Sequence, residues 1–355
     1  MKRVLITGGA GFVGSSLAKM IKADNPQSEV WVLDNLKRRG SELNLPTFAE
    51  LGINFVHGDI RDYSDFENLN GDFDLLIEAS AEPSVHSGIS GGLSYLVDTN
   101  LSGTLNCLRF ARERCEKTLF LSTSRVYSID ALREIELEEN ETRFQVKEGI
   151  DYLGLRDGGI LENFDVSRFR SFYGTTKLSS EYFIQEYVET FGLKAIINRC
   201  GVIAGPGQFG KVDQGVFTLW VANHYFKKSL KYMGFGGKGL QVRDLLHPRD
   251  LYNLILAQVK SNHSWNGEVY NVGGGLNCST SLLEYTKLAE EITGNKIEIA
   301  SAPETAKVDI PYYVTNTDKA EKDFDWKVSY DSKAIVQDIF TWMNENEALV
   351  SKVFN

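Results

Sequence analysis

Cysteine, histidine and proline are scarce in this 355-residue sequence, which contains four, five and seven of them. Four cysteines in so long a chain, with no Cys-x-x-Cys pair, do not form a disulfide framework, so we expect free thiols in a reducing compartment. The histidines never recur four residues apart or beside a cysteine pair, so no metal site is predicted. Because hydrophobic residues make up 42 % of the chain, collagen-like and disordered chains are excluded as well.

Long apolar runs and an excess of positive charge are also missing. No stretch of about 18 apolar residues occurs, so the chain is not expected to span a membrane. The apolar run after Met1-Lys2-Arg3 stops at Thr7, too early for a signal peptide. The 38 Lys and Arg residues are outnumbered by 48 Asp and Glu residues, which predicts no nucleic-acid partner and no anionic membrane partner. The expected location is the cytoplasm.

Short apolar runs alternate with helical stretches along the first two thirds of the chain. The predicted strands are Val4–Ile6, Val30–Leu33, Ile53–Phe55, Leu75–Ile77, Thr118–Leu121, Ala195–Ile197 and Val269–Val272. This alternation predicts an α/β fold, a Rossmann doubly wound parallel sheet with a smaller C-terminal α/β substrate domain. The nucleotide-binding domain is expected at 1–200, with 240–272 returning to it, and the substrate domain at 201–239 and 273–355. The acidic stretch Glu134–Glu141 is interpreted as a solvated loop.

A glycine cluster between the first predicted strand and the first predicted helix indicates a dinucleotide site. Gly8, Gly11 and Gly14 recur every third residue, and Gly9-x-Gly11-x-x-Gly14 matches a second known spacing. Glycines let a pyrophosphate approach backbone N–H groups at the positive end of the helix. Asp34 lies 20 residues past Gly14 at the end of the second strand, where a carboxylate can accept hydrogen bonds from both ribose hydroxyls of NAD.

The choice between NAD and NADP depends on the residues after Asp34. Lys37, Arg38 and Arg39 could bind a 2′-phosphate, but Asp34 would repel that group. We therefore expect NAD, with one cation lying over the adenosine. Asp59, which follows the third strand, could accept a hydrogen bond from the adenine amino group or could be an ordinary turn acid.

Tyr173-x-x-x-Lys177 is the strongest catalytic signal. Residues four apart share a helix face, and a neighbouring ammonium favours the phenolate of a tyrosine whose pKa is ordinarily about 10. Tyr173 could thus remove a proton from a sugar hydroxyl. The hydroxyl run Ser122-Thr123-Ser124 ends a predicted strand, which is where ligands bind in such sheets. Capping of the next segment is the alternative role, and it suits Ser122 and Ser124 better than Thr123.

These motifs together resemble the extended short-chain dehydrogenases/reductases that modify nucleotide sugars, and the resemblance covers nearly the whole chain. In that family the catalytic Ser or Thr lies three residues before a Val-Tyr pair, which here is Val126-Tyr127 and points to Thr123. The resemblance implies that Thr123, Tyr173 and Lys177 are catalytic, with Thr123 hydrogen-bonding the reacting oxygen and Lys177 also holding the nicotinamide ribose. The implied cofactor contacts are Gly8, Gly11, Phe12, Val13, Gly14, Asp34, Asn35, Arg38, Asp59, Ile60, Ala79, Ser80, Ala81, Asn100, Ser122, Tyr173 and Lys177.

Within this family, smaller differences indicate the reaction. The 4,6-dehydratases carry Asp-Glu after the catalytic threonine, whereas Ser124-Arg125 follow here, so dehydration is disfavoured. Three segments are similar to those of the CDP-paratose (CDP-tyvelose) 2-epimerases, namely Asp34–Gly40, Gln208–Gly215 and Gly236–His247. The resemblance therefore implies an NAD-dependent 2-epimerase of a CDP-3,6-dideoxyhexose. The alternatives are a UDP-sugar 4-epimerase or 4-ketosugar reductase, and a non-catalytic NAD(P)-binding protein.

The expected substrate contacts, besides Thr123, are Lys211, Gln214 and Arg243. Many relatives have an Asn and a Tyr at the positions of Val202 and Ala204, so one hydrogen-bond donor to the substrate phosphate is missing here. We therefore expect the diphosphate to depend more on Arg243 and Lys211. Arg243 is placed in a loop after Gly236-Gly237, with a surface ion pair to Asp244 or Asp250 as its alternative role. The expected substrate is a CDP- or UDP-linked sugar. The resemblance to the family also implies a homodimer.

Overall fold

The computed structural model describes residues 1–89, 91–211 and 214–354. Its strands are β1 (Arg3–Thr7), β2 (Glu29–Asp34), β3 (Asn54–His57), β4 (Phe73–Glu78), β5 (Cys115–Thr123), β6 (Leu137–Glu139), β7 (Phe144–Val146), β8 (Leu155–Arg156), β9 (Gly159–Ile160), β10 (Ala195–Cys200), β11 (Val202–Ile203), β12 (Leu230–Met233), β13 (Val242–Leu246), β14 (Asn266–Val272), β15 (Ser279–Ser281), β16 (Ile299–Ala302) and β17 (Tyr312–Tyr313). Its helices are α1 (Phe12–Asp24), α2 (Leu45–Leu51), α3 (Leu93–Val97), α4 (Gly103–Arg114), α5 (Ile129–Glu134), α6 (Phe172–Phe191), α7 (Val216–Tyr225), α8 (Pro248–Lys260), α9 (Leu282–Thr293), α10 (Asp318–Phe324), α11 (Ser332–Glu345) and α12 (Glu347–Phe354).

A seven-stranded sheet in the order β14-β10-β5-β4-β1-β2-β3 confirms the doubly wound fold. The ladders β1/β2, β2/β3, β1/β4 and β4/β5 are all parallel. The chain order runs outward from β1 to β3 on one side and from β4 onward on the other. The strand order therefore reverses between β1 and β4, and ligands bind at the carboxyl ends of the strands beside such a reversal.

The chain divides into two units by its internal contacts. The first comprises Met1–Val126, Ser171–Arg199 and Tyr252–Tyr270, and the second comprises Tyr127–Arg170, Cys200–Leu251 and Asn271–Asn355. The sequence-based boundaries placed 127–170 with the nucleotide-binding domain. In the structure, Tyr127 stacks on Tyr313 with ring centroids 6.1 Å apart, and its hydroxyl donates to Asn271 Oδ1 at 2.6 Å. These contacts join the insertion to the second unit, which is therefore no smaller than the first.

The second unit has a β11-β13-β15 sheet with β17 pairing β13, together with smaller strand pairs. Its core gathers apolar side chains of α7, α9 and α11, among them Trp220, Tyr285 and Ile339. Beyond Gly201 the sequence pattern predicts glycine-rich loops, a helix near 216–226 and a helix at Leu282–Thr293. Both helices are present, as α7 and α9. The strands β11, β12, β13, β15, β16 and β17 were not predicted, because strands of two to five residues are too short to show a period.

The acidic stretch Glu134–Glu141 is not the loop that was expected. Its residues Leu137–Glu139 form β6, which pairs antiparallel with β7. Leu137 packs against the buried side chains of Val242 and Val314, while Glu138 and Glu139 are exposed. The glutamates Glu138 and Glu139 are solvated as predicted, but they belong to a three-residue strand that is too short for the sequence pattern to reveal.

The four cysteines are free thiols, and three of them are buried. Over the residues that the structure describes, no helix combines the length and the apolar composition that crossing a membrane requires.

Candidate active site

The glycine turn brings α1 against the ends of β1 and β4. Gly8 has φ +63°, and a Cβ there would lie 2.7 Å from the Ser80 Cα. A Cβ on Gly14 would lie 2.5 Å from the Gly8 carbonyl oxygen. Gly14 lies in the first turn of α1, which begins at Phe12. The glycines are required because no side chain fits at either position.

The first turn of α1 is open to an anion. Its N-cap is Gly11, no side chain caps it, and its first turn carries no acidic residue. By contrast, Ser171 caps α6 and Ser281 caps α9 with side-chain oxygens. The uncapped N–H groups and the positive helix end therefore fit a pyrophosphate, as predicted for Phe12, Val13 and Gly14.

Asp34 lies at the end of β2, where its carboxylate holds the glycine turn and the turn that follows β2. Its Oδ2 accepts from the Ala10 N–H at 3.0 Å, and its Oδ1 accepts from the Leu36 N–H at 2.7 Å. Burial raises the pKa of the Asp34 carboxyl, although these backbone hydrogen bonds oppose the rise. Each carboxylate oxygen has a further lone pair, so Asp34 can accept ribose hydroxyls while it is held in place.

A network of side chains continues from Asp34 toward the expected adenosine position. Asn35 Nδ2 donates to Asp59 Oδ2 at 2.8 Å, and Arg61 donates to both oxygens of Asp59 at 3.0 and 2.7 Å. Burial would raise the pKa of Asp59, but the hydrogen bonds from Arg61 and Asn35 outweigh it and hold the pKa at about 2. Lys37 and Arg61 both lie over the Tyr95 ring, at 5.1 and 4.7 Å from its centroid.

Arg38 and Ile60 belong to the same region but differ in burial. Arg38 is half-buried in the turn after β2. Ile60 is buried against Gly103, and its carbonyl accepts from Asn106 Nδ2 at 2.8 Å. The Ile60 side chain is therefore part of the core, and a cofactor contact from it remains a prediction for its backbone.

Residues after β4 and within a π-helical turn form the next part of the site. Ala79, Ser80 and Ala81 follow β4, and the Ser80 carbonyl accepts from Lys177 Nζ at 3.5 Å. Asn100 is fully buried in the π-helical turn Asp98–Ser102, where it bridges the Glu82 backbone and the Thr176 hydroxyl. The π turn lies between α3 and α4, and such turns are frequent at functional sites.

Thr123, Tyr173 and Lys177 all lie in the first unit and are 8, 8 and 2 % exposed. Lys177 Nζ donates to the Leu121 carbonyl at 3.0 Å, which holds α6 against β5 two residues before Thr123. The Thr123 hydroxyl accepts from the Arg125 N–H at 3.2 Å, so its own proton can be donated to a substrate oxygen. Tyr173 and Lys177 lie one helical turn apart on the buried face of α6.

Ser122, a predicted cofactor contact, directs its hydroxyl elsewhere. The hydroxyl donates to Glu181 of α6, whose carboxylate also binds Arg199 of β10. A cofactor contact from Ser122 therefore remains a prediction for its backbone only.

The three remaining expected substrate residues lie in the second unit. Arg243 is on β13 and not in a loop, and its guanidinium donates to the carbonyls of Val242 and Ile310 at 2.6 and 2.7 Å. The alternative role of Arg243, a surface ion pair with Asp244 or Asp250, is not supported. Both acids are fully buried and accept hydrogen bonds from backbone N–H groups. Lys211 and Gln214 pair through their backbones, while Val212 and Asp213 lie outside the described residues.

Sequence reasoning missed two acids near α6, the helix that carries the predicted catalytic residues. Glu78 at the end of β4 is buried, which raises its pKa, and its Oε2 accepts from the Thr104 hydroxyl at 3.2 Å. Glu181 lies four residues after Lys177 on the same helix face. An ionisable residue at the end of an apolar strand, or one helical turn after a catalytic lysine, is the signal that could have found each of them.

This geometry can be compared with known proteins. The model of the NAD dependent epimerase/dehydratase family matches residues 4–150 and 156–273. The chain belongs to this family. A CDP-paratose 2-epimerase of Salmonella typhi is 29 % identical over 353 residues, covering 96 % of this chain and 98 % of that protein. A putative UDP-glucose 4-epimerase of Methanocaldococcus jannaschii is 27 % identical over 346 residues, covering 97 % and 99 % of the two chains. The structure of a UDP-glucose 4-epimerase of Thermus thermophilus with NAD superposes with a TM-score of 0.77 at 24 % identity, covering 96 % and 99 %.

Family membership confirms the resemblance, the fold and the NAD dependence inferred from the motifs. The protein is therefore an NAD-dependent enzyme of the epimerase/dehydratase family. The residues present fit the cofactor, because α1 leaves its first N–H groups uncapped and Asp34 occupies the position that favours a ribose diol over a 2′-phosphate. Which residues touch NAD remains a prediction.

Replacing Asp34 by Ala should weaken NADH binding by roughly 10-fold or more, because hydrogen bonds to a buried carboxylate are lost. NADPH binding should fall less than NADH binding, because removal of the charge that repels a 2′-phosphate partly offsets the lost support of the Ala10 and Leu36 amides. Fluorescence titration with both cofactors measures this, and Asp62→Ala, which removes an exposed acid, is the control. If wild-type protein bound NADPH as tightly as NADH, the role assigned to Asp34 would be wrong.

Tyr173→Phe should lower kcat by roughly 10²–10⁴ while NADH binding stays nearly unchanged, because only the general base is removed. Thr123→Ala should cost less, since it removes a hydrogen bond and no proton acceptor. Steady-state kinetics beside Tyr187→Phe, a half-buried tyrosine of the same helix, provides the comparison. Wild-type turnover in Tyr173→Phe would refute the base assignment.

Proposed function

We propose that the protein converts CDP-paratose to CDP-tyvelose by inverting C2 of a CDP-linked 3,6-dideoxyhexose. The observation that carries this proposal is the similarity to the CDP-paratose 2-epimerase of Salmonella typhi, which extends over 96 % of this chain and 98 % of that protein. The segments Asp34–Gly40, Gln208–Gly215 and Gly236–His247, similar to that group of enzymes, add support.

The reaction asks two things of the first unit. The Tyr173 phenolate would take the proton of the reacting hydroxyl, and the Thr123 hydroxyl would donate a hydrogen bond to the same oxygen. Lys177 donates two hydrogen bonds, to the Ser80 and Leu121 carbonyls. These bonds fix its positive charge on the helix face of Tyr173. Bound NAD supplies a reversible hydride acceptor for the carbon that carries the hydroxyl. The transient keto sugar would then rotate within the site, regain the hydride at C2 on its other face and take the proton back from Tyr173 on its oxygen.

These catalytic groups can serve any secondary hydroxyl that is presented to them. The choice of carbon must therefore come from how the sugar is seated, which makes orientation more decisive than the catalytic groups. We assign the seating of the sugar to the insertion between Tyr127 and Tyr173 and to the Gln208–Gly215 segment, and the binding of the diphosphate to Arg243 with Lys211 and Gln214.

A UDP-sugar 4-epimerase or a 4-ketosugar reductase is the second candidate function. The similarity to the putative UDP-glucose 4-epimerase of Methanocaldococcus jannaschii favours it, at 27 % identity. A non-catalytic NAD(P)-binding protein is less well supported, because such a protein would typically have lost Tyr173 or Lys177.

A homodimer in the cytoplasm completes the proposal. The α6 helix exposes Tyr182, Phe183 and Phe191 by 54, 42 and 49 %, an aromatic set that a second copy could cover. Sedimentation equilibrium at a mass near the 39.8 kDa of one chain would contradict the pairing.

The proposed location is the cytoplasm, because the free thiols suit a reducing compartment. Recovery of the protein outside the cytoplasmic fraction would contradict that location.

Substrate deuterated at C2 tests which carbon reacts. With CDP-paratose we expect a primary isotope effect and retention of the label in the inverted product, because the same hydride is removed and returned. Proton NMR of the product measures both. Inversion at C4 of a UDP-hexose, with no action on CDP-paratose, would contradict the proposal and establish the second candidate.

Arg243→Ala should raise KM for the nucleotide sugar by roughly 10-fold or more, because a fork-shaped donor to the diphosphate is lost. Arg243→Lys should give an intermediate KM. Lys238→Ala removes one positive charge from an exposed pair with Glu139 and should leave KM unchanged. An unchanged KM in Arg243→Ala would indicate a structural role for the arginine.

A further inference from the structure

A buried ion pair lies one helical turn beyond Lys177 on the same face of α6. The Arg199 Nε is 3.1 Å from both oxygens of Glu181, and Arg199 Nη2 is 2.7 Å from Oε2. The two side chains are 8 and 2 % exposed. The same carboxylate accepts the Ser122 hydroxyl, so three elements, β5, α6 and β10, meet at one group.

Stability alone does not account for this pair. Removing two charges from water costs several kcal/mol per ion, and well-packed apolar residues of similar volume are often as stable. A polar link in such a place can instead fix one arrangement of neighbouring elements. Here the linked elements carry the catalytic groups.

The position of Glu181 relates it to all three catalytic residues. It lies one helical turn after Lys177 and two turns after Tyr173, on the buried face of α6. Its partner Ser122 directly precedes Thr123 in β5. The contact therefore ties the helix that presents the base to the strand end that presents the hydroxyl, one turn beyond the contact of Lys177 with Leu121.

We propose that Glu181, clamped by Arg199, is a positioning residue that sets the register of α6 against the end of β5 through Ser122. It touches neither cofactor nor substrate. Its effect falls on kcat, because a displacement of about 1 Å between reacting groups can cost 10²-fold in rate. The inference rests on the proposed roles of Thr123 and Tyr173, but not on the identity of the sugar.

Two variants separate positioning from stability. Ser122→Ala removes the link and leaves the ion pair, and the double variant Glu181→Leu with Arg199→Met removes the pair without leaving an unpaired buried charge. In both we expect kcat to fall by about 10-fold or more, with NADH affinity within about 3-fold of wild type. Amide hydrogen exchange of the segment 121–127 should become faster in both.

The matched control is a second buried polar pair. Asn198, next to Arg199 on β10, exchanges two hydrogen bonds with Gln258 at 3.0 and 2.8 Å. Replacing both by Leu should leave kcat and the exchange of 121–127 unchanged. All rates are measured with whichever nucleotide sugar the wild type turns over, so failure of the C2 assignment does not affect the result. The proposal would be overturned if Ser122→Ala kept the wild-type kcat and the wild-type amide exchange of 121–127. It would also be overturned if the double variant kept the wild-type kcat.

Discussion

The first unit depends on how closely α1 approaches the strands at the glycine turn. With Gly14 against the Gly8 carbonyl and Gly8 against Ser80, the helix end lies directly over the point where the strand order reverses. The backbones approach so closely that no side chain fits at Gly8 or Gly14. The uncapped N–H groups of α1 are thereby aimed at the edge where β1, β2 and β4 all end, and Asp34 fixes the turn from the other side.

The position of α6, which carries the proposed base Tyr173, depends on contacts of a different kind. Beside the apolar packing of Ile184, polar contacts hold α6 in place: Lys177 binds the Leu121 carbonyl and Glu181 binds Ser122, both of β5. Ser180 binds the Asn100 carbonyl of the π-helical turn. Apolar packing tolerates small slips, whereas directional hydrogen bonds do not. A helix that must present a phenol at a defined point is well served by such contacts, even at a cost in desolvation.

Much of the first unit could be predicted because its signals are local. Apolar runs predicted the strands, and the glycine spacing with Asp34 and the four-residue spacing of Tyr173 and Lys177 predicted where chemistry would gather. The Glu181–Arg199 pair could not be predicted, because its members are 18 residues apart on different elements and only the tertiary fold joins them. The strands of residues 137–160 were missed for another reason: two or three residues are too few to establish a period of two.

The dual attachment of Asp34 bears on how this fold could change its cofactor. In a site where the acid served only the ribose, exchanging it for a small neutral residue would be enough to admit a phosphorylated nucleotide. Here the same carboxylate holds the Ala10 and Leu36 amides, and Leu36 has a positive φ of 55°. Loss of the acid would release both turns at once. A switch of cofactor, whether by evolution or by engineering, therefore has to rebuild the support of the glycine turn along with the specificity.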